Sequence, residues 1–242
     1  MSDSEAVEHL KEQIRRNQAV AARLEQLPDT VVQSLHRLQE WQRLRLDATY
    51  ADLRDSTRYR PACEFFLDEL YGGRDFRERD QQLARVVPVM RRFLPGHLLM
   101  AVGDAMQLQA VSLEFDLDLA EILVDCPNLT QPDYARAYRE HDAWTARDEQ
   151  MTLINALGEL LDETVHKPMV HRLVQMMQVP AALAGFGALQ SFLRRGLDAF
   201  ARMDGADHFL KTIDTRERQA LAAMQQGSDW PFEPWIGHWP ES

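Results

Sequence analysis

The chain has 242 residues, 45% hydrophobic and 27% charged, with a formal net charge of −11. That is enough apolar material for one large core or two small ones, and the negative balance argues against nonspecific binding to nucleic acid or an anionic membrane, whose phosphates would repel it. Its two cysteines, Cys63 and Cys126, lie far apart and make no CxxC pair, which excludes a disulfide-stapled secreted scaffold and a thiolate zinc site built from this chain alone.

The N-terminal stretch MSDSEAVEHLKEQIRR is polar and has no apolar signal-peptide core. The most apolar run, Val179 to Leu193, is interrupted by Pro180 and Gln190 and falls short of the roughly 20 residues a span needs. A cytoplasmic protein with no membrane and no nucleic-acid partner is expected. Positive charge comes from 24 arginines and three lysines. Arginine is the better planar donor for paired recognition, but a GC-rich genome produces the same bias.

Helical spacing dominates, with no convincing period-two alternation. Residues 3–26 read as a polar first helix in which Val7, Leu10, Ile14, Asn17, Ala21 and Leu24 follow a 3-4 spacing. Such a seam suits either a short coiled coil joining two copies, with Asn17 setting register, or an amphipathic helix lying on the main body. Pro28-Asp29 punctuates, and a second helix is expected to run to about Leu53 with Leu35, Leu38, Trp41, Leu44 and Ala48 buried. Pro61 suits the first turn of the next helix, which carries Phe65, Phe66, Leu67 and Leu70 and stops at Gly72-Gly73. Asp75, with Glu78 three residues on, can cap a fourth helix over 76–93, kinked or split at Pro88.

From His97 to Asp125 the pattern is almost continuously helical and rich in Leu, Ala and Val, as expected of a central helix facing Phe65, Phe66, Leu83, Leu160 and Phe192. After a Cys126-Pro127-Asn128 loop, Thr130 caps a helix with Pro132 in its first turn and Tyr134, Tyr138, His141 and Trp144 on one face. Further helices are expected at 147–166, 168–178 and 180–203, then a helical pair over 206–226 with Asp214 or Thr215 capping its second part. The tail holds Trp230, Phe232, Trp235 and Trp239 among three prolines. It is too apolar for a disordered tail and too proline-rich for a regular helix, so it should form an extended clasp over an apolar groove or dock on a partner.

These elements divide the chain into an N-terminal amphipathic helix (1–27), an all-α domain (28–226) and the tail (227–242). The expected fold is a single all-α domain of about nine to eleven helices.

No GxGxxG, Walker loop, GxSxG or HExxH is present, and no catalytic residue can be named. Glu163 and His166, three apart, could share a helix face as metal ligands, but a di-iron bundle needs a second such pair. Several histidines and the methionines Met169, Met176 and Met177 leave a haem or metal carrier, with a pocket lined by residues 169–193, as the alternative to a protein without a cofactor. The densest chemistry lies between Arg54 and Asp80, with six arginines, no lysine and seven acids. There Tyr71, Arg74, Asp75, Arg79 and Asp80 meet at a helix stop and restart. They form either a site for a small anion or an acidic group of a protein partner, aided by the helix N-terminus after Asp75, or an Arg-Asp lock between helices.

The run from Phe65 to Pro95 contains Phe65-Phe66-Leu67, Leu70-Tyr71-Gly72, Asp75-Phe76 and Arg79-Asp80. It resembles an uncharacterised group of bacterial all-helical proteins with an FFLxxLYGxxDFxxRD-type segment, and GFGALQSFLRRGLDAFARMDGADHFLKTI is similar to their C-terminal helices. The resemblance implies a bacterial all-α protein and supplies no activity. Function therefore reads as a cytoplasmic helical binding or regulatory protein.

Overall fold

The structure, a computed structural model, describes residues 3–70, 95–167, 170 and 187–239, and every regular element among them is a helix. In chain order these are α1 (Asp3–Glu25), α2 (Asp29–Thr49), α3 (Ala51–Asp55), α4 (Arg60–Leu70), α5 (Gly96–Ile122), α6 (Gln131–His141), α7 (Trp144–Val165), α8 (Gly187–Met203), α9 (Asp207–Gln225) and α10 (Glu233–Ile236). The fold is all-α. The expected stop at Gly72-Gly73, the helices over 76–93 and 168–178, and the first part of 180–203 lie outside the described residues.

α1 runs parallel to α5. Asp3 lies beside Gly96, His9 beside Gly103 and Asp104, and Arg23 beside Asp118 and Glu121. Val7, Leu10, Ile14 and Asn17, the seam of the 3-4 spacing, are buried in this pairing, so α5 of the same chain covers the face a second copy would need. Asn17 Nδ2 donates to the Met106 carbonyl at 2.8 Å, which fixes the register of the pair. A Cβ at Gly103 would come within 2.4 Å of His9 Cδ2, so only glycine lets the imidazole lie against the α5 backbone. Arg16 forks onto Glu114, and Arg23 bridges Asp118 and Glu121, along the rim.

α2 departs from the expected stripe. It ends at Thr49, and Tyr50 (φ −112°, ψ 26°) breaks the path before α3. Leu44 is exposed at 39%, whereas Gln42 and Arg45 are buried. The buried line runs Leu38, Trp41, Arg45, Thr49, because Arg45 is drawn inward by Glu217 of α9 (2.5 Å) and by the face of Phe232 (4.3 Å). α6 begins as expected, with Thr130 and Asp133 forming a reciprocal capping box and Pro132 in the first turn. It ends at His141, before Trp144 of the expected face, where Asp142 takes a left-handed conformation (φ 53°).

α9 is one continuous helix rather than a pair. Asp214 does not cap a new start; its carboxylate accepts from Asn155 of α7 and from Arg218 one turn on. The tail contains a short helix where an extended segment is expected, because Pro234 falls in its first turn, where a missing N–H costs nothing.

Two apolar clusters form the interior. The first gathers Leu35, Leu38 and Trp41 of α2, Leu117, Leu119 and Ala120 of α5, Tyr134 and Tyr138 of α6, Met224 of α9 and Phe232 of the tail. In the second, Leu53, Phe65, Phe200, Met203 and Phe209 bring together α3, α4, α8 and α9. Phe65 and Phe66 thus pack against α8 and α9 and not against the long helix, because α1 and the first cluster already occupy the flanks of α5. Gln131 ties the tail down, donating to the carbonyls of Gly237 and Trp239 and accepting from the Phe232 amide.

Candidate functional site

α5 carries an aspartate into the first cluster. Asp116 is 9% exposed, and its carboxylate accepts from Gln39 (3.3 Å) and Gln42 (3.2 Å) of α2. Burial pushes the Asp116 carboxyl above its ordinary value, against the pull of Gln42, Arg147 and Gln39. Arg147, in the first turn of α7, supplies the nearby positive charge and is 6% exposed. Its Cζ lies 3.8 Å from the centroid of Phe115 and 4.4 Å from that of Tyr138. Tyr134 and Tyr138 join their hydroxyls at 2.9 Å, and burial holds the Tyr138 phenol well above its usual range and therefore neutral. Among the described residues, Arg147 Nε and Nη2, Gln42 Oε1 and Trp41 Nε1 are buried polar atoms with no hydrogen-bond partner.

A second polar chain runs from α2 to α9. Glu217 accepts from both Arg45 and the Tyr50 hydroxyl (2.7 Å), and Arg216 forks onto Asp52 at 2.7 and 2.8 Å. That guanidinium holds the Asp52 carboxyl below the usual carboxylate range.

In the arginine-rich stretch, the described members have structural work. Arg54 pairs with Asp47. Arg58 closes the end of α8, donating to the carbonyls of Met203, Asp204 (2.7 Å) and Gly205 (3.0 Å), where Asp204 and Gly205 both have positive φ. Arg60 donates to the carbonyls of Arg54 (3.0 Å) and Asp55 (3.4 Å) at the end of α3. Asp68 accepts from Arg195 of α8 at 3.0 Å, tying α4 to its neighbour. The site residues expected from sequence, Tyr71, Arg74, Asp75, Arg79 and Asp80, lie outside the described residues, as do Met169, Met176 and Met177.

A family model for a domain of unknown function, DUF8198, matches residues 15–231. The chain belongs to that family. No curated protein and no solved structure matches it. Both the buried polar centre and the arginine-rich stretch fall within the part of the chain shared with the DUF8198 family, whereas Phe232, Trp235 and Trp239 of the tail fall beyond it.

Glu163 and His166, the pair that could share a helix face as metal ligands, are both exposed at the end of α7. Among the described residues no group of three or more His, Cys, Asp or Glu side chains is placed to hold a metal ion, and no helix is long and apolar enough to cross a membrane. The polar centre was missed in the sequence. Asp116 left a trace, as one of three acids at even spacing (Glu114, Asp116, Asp118) in the most apolar helix, of which helical geometry must turn at least one inward. Arg147 left none, since a helix start holding Trp144, Thr145 and Ala146 gives no reason to bury the arginine that follows.

Proposed function

We propose that the chain is a cytoplasmic bacterial helical binding or regulatory protein that recognises an anionic group, borne by a small molecule or a protein partner, through the Tyr71–Asp80 junction. Arg74 and Arg79 are its donors, the helix start after Asp75 adds its amide groups, and Tyr71 and Asp80 order the arginines. The ion pair between Asp68 and Arg195 carries this reading, because it engages with α8 one of the acids that lie beside the junction in sequence. The arginines before the junction, Arg54, Arg58 and Arg60, are engaged by Asp47 and by helix-end carbonyls and are not required for recognition.

The test is calorimetric titration of the full chain with inorganic phosphate and with a Glu-rich peptide, repeated on Arg74→Ala/Arg79→Ala. The expected result is saturable binding that weakens at least tenfold in the double variant. A lower melting temperature with affinity untouched would make the arginines a structural lock. A coloured purified protein, or a near-stoichiometric metal by elemental analysis, would replace the reading with a cofactor carrier.

A further inference from the structure

We propose that the Nε–Nη2 edge of Arg147, at the start of α7, is a binding site for a small carboxylate. The proposed site shares no residue with the junction and is tested apart from it. Three observations converge on it. Arg147 is 6% exposed, yet among the described residues neither Nε nor Nη2 has an acceptor. These two N–H groups point from one edge of the guanidinium, the edge that takes both oxygens of a carboxylate at once. The described residues show that pairing elsewhere, for Arg16 Nε and Nη2 place one hydrogen bond on each oxygen of Glu114, and Arg43 does the same with Glu40.

The second observation is electrostatic. A cation in the first turn of a helix faces the positive end of the helix dipole, the less favourable end for it. α7 begins at Trp144 after Ala143, and no side chain caps its first amides. Guanidinium and helix start together call for an anion, and Asp116 does not meet the call by a hydrogen bond, since its carboxylate accepts from Gln39 and Gln42 instead. The third is the wall. Phe115 and Tyr138 stand against the guanidinium at 3.8 and 4.4 Å, excluding water and holding its plane.

The test is titration of the full chain with acetate and with benzoate against matched sodium chloride, read by calorimetry and by melting temperature. It is run on wild type and on Arg74→Ala/Arg79→Ala, so that the junction is removed from the measurement. Saturable binding is expected in both, at least tenfold weaker in Arg147→Lys, which keeps the charge and loses the edge. Binding lost in the junction double variant but kept in Arg147→Lys overturns the assignment, as does a wild-type response no larger than that to chloride. Phosphate binding here without carboxylate binding overturns the ligand class. Should Arg147→Lys fail to fold, a crystal structure of the wild type at saturating benzoate decides, and a ligand density anywhere but on Arg147 refutes the site.

Discussion

Asp116, the buried carboxyl of the first cluster, should make stability depend on pH in the sense opposite to that of an ion-paired acid. Because burial raises the Asp116 pKa above its unfolded value, the group contributes stability fully below about pH 3.9, and that contribution is lost as pH rises through the native pKa. Asp116→Asn removes the titration, so the melting temperature of wild type relative to the variant should decline as pH is raised from about 4 to about 8. Parallel profiles across that range would show that Gln39, Gln42 and Arg147 compensate the burial in full. Legibility at this scale follows solvation. The apolar positions Leu35, Leu38 and Trp41 were readable because periodicity alone buries them, but Leu44 and Arg45 exchange places. The partners that draw Arg45 inward, Glu217 and Phe232, lie more than 170 residues away in sequence. A charge is buried only where distant groups receive it, and local spacing carries no record of them.

Among the elements, the tail and α1 are the most exposed to test. Phe232 is 1% exposed and packs on Trp41 and Tyr134, with the Arg45 guanidinium over its ring. Phe232→Ala should therefore cost about 3–5 kcal/mol in chemical denaturation, the usual range for a large aromatic cut back in a core. A loss under about 1 kcal/mol would mean that the tail adds little to the first cluster. Deleting residues 1–27 removes the cover of α5, and light scattering should then report aggregates. A stable monomer lacking α1 would contradict the pairing. Element boundaries were legible where local chemistry decides them. Thr130 and Asp133 form a cap from within four residues, so the start of α6 could be read directly. Asp214 and Thr215 have the same cap-forming chemistry, yet α9 passes through them, because Asn155 and Arg218 give the Asp214 carboxylate partners that do not require a helix break. The tail helix was hidden by Pro234, which forbids a long helix but suits a first turn.

For the whole molecule, the all-α class follows from helical spacing over nearly the whole chain, but the arrangement of two clusters does not. The phenylalanines of α4 were expected against the long helix and belong instead with α8 and α9, since nothing in a periodic pattern names the partner of an apolar face. The site expected at Tyr71–Asp80 rests on charge density, and the described arginines beside it show what density alone conceals: three guanidiniums that finish helices or pair with Asp47. The parallel pairing of α1 with α5 has a further consequence during synthesis. Arg16 and Glu114 are 98 residues apart, so the apolar seam of α1 leaves the ribosome well before the surface that covers it. At about 5–20 residues per second, that interval lasts on the order of 5–20 s. For that time the nascent chain presents Val7, Leu10 and Ile14 to solvent, where a holdase chaperone, or the same seam on a neighbouring nascent chain, can reach them first.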